Sequence, residues 1–403
     1  MKSKKIKDVK SILLAVIYFF RQATGYLALL FRNVSRATFG GNLDPTYICG
    51  LVYIKDIVKQ KKWRKEFLVF LLPILLIVVT QLLSLAPTSI SKYLITLVKL
   101  VICILTMLFV KNKFKKLNLY HFSLAYTVIA GIFTLVSLFF QNTVTWRYND
   151  YVNSFDLTRL QLFYLEPSEL GFHISIIIII LICLLFSSNY KKYRYAILSM
   201  LFINLAILYL SKALGAIVIL SLSICVFAFY LVSSRPTKNS FFKLFLFILI
   251  GGASIALLFW GGSSITERVN SVLSGTDGSV NYRLNVSFEV LGESLRDYNL
   301  LGTGLGNVNT DGFISRYSGL GLDQMLVNSF VYFWVETGII GIVIWAVFMI
   351  YLFRKCLQKK DKLSFVLLVF VFLYQFVGGH YTSGLTWMIY GYILSDWRWN
   401  EES

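Results

Sequence analysis

The chain has 403 residues, 57% of them hydrophobic and only 15% charged, with a mean hydropathy of +0.69. A soluble domain carries roughly 25% charged residues, so this balance excludes an ordinary soluble fold and selects an integral membrane protein. The formal charge of +19 would suggest nucleic acid in a soluble chain, but here the lysines flank apolar stretches and read as topogenic charge beside anionic headgroups, with no nucleic-acid partner.

In chain order, apolar stretches predict helical spans near 11–31, 43–58, 67–86, 91–110, 120–140, 168–187, 195–211, 213–232, 243–260, 328–352, 363–379 and 382–396. Most reach the roughly 17–25 residues that cross a bilayer as a helix. The second and twelfth are short and read as tilted or re-entrant. Runs such as "HISIIIIILICLLF" lack the alternation of a β-barrel strand. The opening "MKSKKIKDVKSILLAVIYFF" has no A-x-A-like cleavage site and its apolar part continues through Arg21, so it reads as a retained first helix. The cysteines Cys49, Cys103, Cys183, Cys225 and Cys356 lie in or beside apolar spans without a CxxC pair, as small core residues do.

With these spans the N-terminus, "KQKKWRK", "KNKFKK", "KKYR", "RPTKNSFFK" and "RKCLQKKDK" all fall on one side, which the positive-inside rule makes the cytoplasm. Both termini are then cytoplasmic. The expectation is an all-α polytopic membrane protein of about 12 transmembrane helices, forming one domain over 1–403, with outward loops at 141–167 and 261–327. In the larger loop, Leu284, Phe288, Leu291 and Leu295 repeat at i, i+4, i+7 and i+11, the stripe of an amphipathic helix.

The two basic residue types divide unequally between the sides. Of 39 Lys and Arg, 27 are cytoplasmic and only five of these are Arg, whereas nine of the other 12 are Arg: 21, 32, 36, 147, 159, 268, 283, 296 and 316. Lysine serves as a hydrated anchor, while arginine offers a rigid fork for carboxylate or phosphate. An outer face rich in Arg suggests an anionic ligand there, alongside ion pairs with acids such as Asp150, Asp156, Glu289 and Asp297.

The stretch "YNLLGTGLGN" packs Gly302, Gly304 and Gly306 into five positions. A dinucleotide fingerprint needs G-x-G-x-x-G between strand and helix, and a Walker A loop needs Gly-Lys-Ser/Thr. Neither is present, and the run lies outside the cell. It reads as a tight turn that lets backbone pass close to backbone, with a lipid-linked phosphate beside it as the alternative.

"YRLNVSFEVLGESLRDYNLLGTGLGN", followed by "VNSFVYFWVETGIIGIVIWAVFMIYLF", resembles the Wzy-type polysaccharide polymerase and O-antigen ligase superfamily, whose late outer loop carries an Arg before a Gly-x-Gly-x-Gly turn. "RLQLFYLEPSELG" resembles that family's entry to a span, and "LYLSKALGAIVIL" its hairpin between two helices. Two departures favour the polymerase branch over the ligases: Val327 stands where the ligases have His before Asn-Ser, and Lys212 replaces the hairpin Arg.

The resemblance implies a GT-C-like fold. It also implies transfer of a growing glycan from undecaprenyl diphosphate to the non-reducing end of a lipid-linked repeat unit, at the outer face of a bacterial cytoplasmic membrane. Implied partners are undecaprenyl-diphosphate-linked oligosaccharides, membrane lipid, a flippase and a chain-length regulator. The alternatives are a ligase moving glycan to another acceptor, or a flippase for the same lipid. A transporter, however, usually has related halves and midplane polar residues, and neither is legible here.

Such a transfer needs a cation for the diphosphate, a base for the acceptor hydroxyl, and a lateral opening for polyprenyl chains. No two acids are spaced i, i+2, so guanidinium is expected to do the work of a metal, and no cofactor is expected. Arg283, Arg159 and Lys212 are the diphosphate candidates, in that order. Glu166, Glu169 and His380 are the candidate bases, with Glu169 also suited to stabilising a helix N-terminus. His121 and His173 read as structural. Glu336, within a span, reads as a buried strut or a substrate-pathway residue.

Overall fold

The computed structural model describes residues 47–83, 89–113, 118–140, 145–147, 159–162, 164, 166–234, 270–324, 326–378 and 381–396. The expected spans 11–31 and 243–260 lie outside these residues, as does His380. The described helices are α1 (Tyr47–Lys59), α2 (Lys61–Leu83), α3 (Ile90–Lys113), α4 (Leu119–Phe139), α5 (Pro167–Leu185), α6 (Arg194–Ser211) and α7 (Leu214–Ser234). Between α7 and the last three helices, α8 (Gly278–Asn281) passes through a π-helical turn, Tyr282–Val286, into α9 (Ser287–Asp297), and α10 (Asp311–Arg316) follows. The last three are α11 (Ser329–Lys359), α12 (Lys362–Tyr374) and α13 (Gly384–Leu394). A two-stranded antiparallel ribbon, β1 (Trp146–Arg147) and β2 (Arg159–Leu160), precedes α5.

Among the described residues six helical segments are long and apolar enough to cross a membrane: Lys61–Leu82, Ile90–Asn112, Leu119–Phe139, Pro167–Leu185, Ser188–Ser211 and Ser329–Lys359. Leu214–Tyr230, Lys362–Tyr374 and Gly384–Leu394 are shorter apolar helices. The chain is an all-α membrane protein. The expected second span corresponds to α1, which is only 13 residues long, and the expected span 328–352 continues to Lys359.

Helix starts follow local chemistry. Asn118, Asp277, Thr310, Asn328 and Asp361 each cap a helix by accepting a backbone N–H through the side chain. The continuous isoleucines of α5 form a helix because lipid forces the backbone to satisfy itself. α5 is also the centre of the packing: 78% of its most apolar stretch is buried, against 17% for α2. It packs on α6, α7 and α12, while α3 packs on α1 and α13.

In the amphipathic helix the expected stripe holds in part, with Leu291 buried and Leu295 packed partly buried against the core. Val286, Ser287, Val290, Leu291 and Ser294 are buried, whereas Leu284 and Phe288 are 44% and 40% exposed. The π-helical turn inserts one residue into the helical period between Tyr282 and Val286, which takes Leu284 out of register with the residues of α9. Within α9 the buried line runs through Ser287, Val290, Leu291 and Ser294, leaving Phe288 at its edge.

Candidate functional site

Two glycines let distant elements meet at the N-terminal end of α5. A Cβ on Gly171 would lie 2.6 Å from Ala213 Cβ and 2.9 Å from Ala216 Cβ, so only glycine lets the α6–α7 hairpin close over α5. A Cβ on Gly215 would collide with Val377, and it would lie 3.9 Å from Arg283 Nη1. The hairpin turns at Lys212, whose backbone is left-handed at φ 49°. Arg159 braces that turn, donating from Nε to Ser211 O at 3.2 Å and from Nη2 to Lys212 O at 3.3 Å.

Arg159 faces Arg147 across the ribbon, an arrangement that repels like charges. Glu166 offsets this: its Oε1 lies 3.7 Å from Arg147 Nη1, and its Oε2 accepts from Ser168 Oγ at 3.0 Å. Glu166 stands at the N-cap of α5 without a side-chain capping bond, Pro167 follows it, and Glu169 lies in the first turn. Both carboxylates are thus held where the helix dipole favours negative charge.

Arg283 sits in the π-helical turn, half-buried, with its carbonyl accepting from Asn328 Nδ2 at 3.2 Å. Among the described residues its guanidinium makes no hydrogen bond or ion pair. Next to it, burial pushes the Tyr282 hydroxyl up to about 12, and that hydroxyl donates to Gln324 O at 2.6 Å.

Tyr374, at the end of α12, joins these elements. Its hydroxyl donates to Ser168 O at 2.8 Å, and Arg283, Glu169, Glu166 and Arg159 are all within electrostatic reach of it. The structure therefore brings Glu166, Glu169, Arg159, Lys212 and Arg283 to one end of the helices, opposite Lys191, Lys192, Lys359 and Lys362. Sequence reasoning missed Tyr374, which carries no signal inside the apolar run "LLVFVFLYQFV". It also missed Asn328 as the link between Arg283 and α11; the residue's place before an apolar run marks it only as a cap.

Among the described residues, Arg296 and Arg316 are paired. Arg316 donates through Nε (3.1 Å) and Nη2 (2.9 Å) to Asp297 Oδ2, and Arg296 pairs with Glu293 at 2.9 Å. Tyr317 donates to the same Asp297 oxygen at 2.8 Å; burial first, then that bond, raises its hydroxyl above the usual range.

The glycine run is a backbone crossing. Gly302, Gly304 and Gly306 have φ of 84°, 97° and 77°. A Cβ on Gly302 would lie 2.5 Å from Gly338 N and 2.6 Å from Glu336 O, and one on Gly306 would lie 2.6 Å from Lys92 O. Thr303 N and Gly304 N donate to Val335 O and Glu336 O at 2.9 and 3.0 Å, at the kink of α11 marked by Gly338 (φ 63°, ψ −161°). The side chain of Glu336 is fully buried; Oε2 accepts from Tyr381 at 2.5 Å, and the N–H groups of Gly306 and Val308 face the carboxylate. The Glu336 side chain thus lies buried beneath the turn, whose amides look at a carboxylate of the protein itself, and its Oε1 accepts no hydrogen bond among the described residues. His173 is likewise buried, against Tyr164 and Phe172.

Fold and site together define a polytopic helical membrane protein with a cationic, carboxylate-flanked cluster at the ends of its helices. No protein-family model and no curated protein matches the chain.

Proposed function

We propose that this protein is a polysaccharide polymerase: a metal-independent glycosyltransferase moving a glycan from undecaprenyl diphosphate to the non-reducing end of a lipid-linked repeat unit. In this reading the chain has twelve spans in a GT-C-like arrangement, both termini are cytoplasmic, and the cluster faces the outside of a bacterial cytoplasmic membrane. The product is capsule, exopolysaccharide or O-antigen.

The observation that carries the reading is the half-buried Arg283 guanidinium, without a described partner, beside the Arg159-braced Lys212 turn and the Glu166–Glu169 pair. In the transfer the acceptor hydroxyl oxygen bonds to the anomeric carbon. The bond from that carbon to the diphosphate breaks, and its electron pair leaves with the phosphate. Arg283 and Lys212 stabilise the charge that develops there. A carboxylate of the Glu166–Glu169 pair takes the hydroxyl proton.

Deletion followed by gel analysis of surface glycan tests the class. Loss of long chains with single units still attached is the expected result. Loss of all attached glycan would instead favour a ligase, and internal accumulation of lipid-linked units a flippase. Arg283→Lys keeps the charge but loses the bidentate fork, and should abolish most chain extension. Full-length polymer in that strain would refute the assignment of Arg283.

A further inference from the structure

Between α2, α3, α11 and α13 lies a cavity of about 630 Å³ with an almost wholly apolar lining. It opens sideways: Val69 on α2 and Val343 and Val347 on α11 line it and are also 67%, 56% and 62% exposed on helix surfaces that face lipid. Glu66 and Ile77 both line it, so it runs about 16 Å along α2 at 1.5 Å per residue. A hydrocarbon core is about 30 Å thick, so the slot has roughly the depth of one leaflet. At one end Ser329 N donates to Gln375 O at 3.0 Å, a backbone bond that walls the slot off from the Arg283 cluster.

At the other end lysines gather from three of the four helices. Lys111 on α3 lines the slot and pairs with Glu66 Oε1 at 3.2 Å, while Asn112 donates to Glu66 Oε2 at 3.0 Å, so that carboxylate is satisfied. Lys62 stands four residues before Glu66, on the same face of α2. Across the slot α2 and α11 run antiparallel: Gln81 Nε2 donates to Glu336 O at 2.8 Å, and Phe70 meets Phe348 edge-on with ring centres 6.4 Å apart. Carried about two turns further, this pairing sets Lys62 opposite Lys355. Lys355 Nζ lies 5.9 Å from the ring centre of Tyr351, itself a lining residue. Lys62 and Lys355 are both exposed, and among the described residues neither makes a hydrogen bond or an ion pair. Three ammonium groups against one carboxylate thus crown an apolar slot that is open to the bilayer.

We infer that this slot holds one anionic diacyl phospholipid of the surrounding bilayer, with its phosphate between Lys62 and Lys355 and an acyl chain between Phe70 and Phe348, against Trp345 and Trp387. Charge selects the occupant: a zwitterionic headgroup would bring its own cation to two lysines that lack an acid. Lysine also suits the task, because its apolar stem can line the mouth while the hydrated ammonium stays at headgroup depth. The lipid has work to do on α2, the least buried of the spans, with 17% of its most apolar stretch covered by protein. Pro73 also deprives the Val69 carbonyl of its helical donor. An acyl chain packed between α2 and α11 supplies dispersion contacts that protein does not. The inference is independent of the proposed glycan transfer.

The test uses the full chain in phosphatidylcholine vesicles titrated with phosphatidylglycerol brominated on one acyl chain, which quenches tryptophan on contact. The fluorescence removed by Trp345→Phe with Trp387→Phe reports the slot. Brominated phosphatidylglycerol should quench it at mole fractions roughly 30-fold lower than brominated phosphatidylcholine, which corresponds to about 1 kcal/mol for each of the two lysines. Lys62→Ala with Lys355→Ala should bring the two curves together. In detergent, added phosphatidylglycerol should raise the melting temperature of the unsubstituted protein, phosphatidylcholine should not, and the lysine variant should respond to neither. Equal quenching by the two lipids, or a preference that survives loss of both lysines, would overturn the inference. If a variant fails to fold, the two lipids compared on the unsubstituted protein by melting still decide it. Loss of glycan joining with the lipid preference intact would touch the proposed function alone.

Discussion

Replacing Gly302 with alanine separates a backbone crossing from a phosphate cradle. The added Cβ would sit 2.5 Å from Gly338 N, 2.6 Å from Glu336 O and 2.8 Å from Thr337 C, all main-chain atoms that no side-chain rotation can move aside. Holding alanine at φ 84° costs about 1–2 kcal/mol. Forcing the crossing apart adds about 1–3 kcal/mol of overpacking. The sum is on the order of 2–5 kcal/mol, and the bonds from Thr303 N to Val335 O and from Gly304 N to Glu336 O are strained with it. Gly312→Ala is the control: nothing lies within 4 Å of its Cβ, and alanine suits its position in α10. Thermal unfolding of the detergent-solubilised protein should show Gly302→Ala lowered by several degrees, on the order of 5 °C, with Gly312→Ala unchanged or slightly raised. If Gly302→Ala melts with the unsubstituted protein and only glycan transfer is lost, the crossing is not what the glycine serves, and a ligand must lie against it.

Between α11 and α12, Asp361 accepts from Ser364 (2.6 Å) and Tyr392 (2.7 Å) and lies 3.7 Å from the buried Lys359. Asp361→Ala strands that ammonium and should cost about 3–5 kcal/mol in the same melting assay, with Asp361→Asn less damaging because it can still cap α12. Asp297 holds Arg316 and Tyr317 at a partly exposed site, so Asp297→Asn should cost only about 1 kcal/mol. Its effect should appear as faster hydrogen exchange in 311–320, and a large fall in the global melting temperature would show that the pair supports more than the outer loop.

The existence of the helices was legible because uninterrupted apolar runs leave lipid-exposed backbone few alternatives, whereas the caps at Asn118, Asn328 and Asp361 emerged only with the structure. The amphipathic helix was legible, with Leu291 and Leu295 on its buried side, but Leu284 was misplaced: periodicity presumes 3.6 residues per turn, and the π-helical turn around Arg283 breaks that period without a mark in "YRLNV". The convergence of Arg159, Arg283, Glu166 and Glu169 on Tyr374, beside the Lys212 turn, depends on Gly171 and Gly215, whose roles are defined by residues far along the chain.

From the sequence by itself came the kind of molecule: helical and membrane-embedded. Those properties follow from composition and local spacing, which neighbouring residues carry. Tertiary structure alone decided that α5 is central and α2 peripheral, although both are apolar throughout. Lipid tails and protein core are equally poor solvents for charge, so hydropathy cannot tell a helix facing one from a helix facing the other. It also decided that the glycine run meets Gly338 and Glu336, because a close approach of two backbones is a property of both partners and is written in neither.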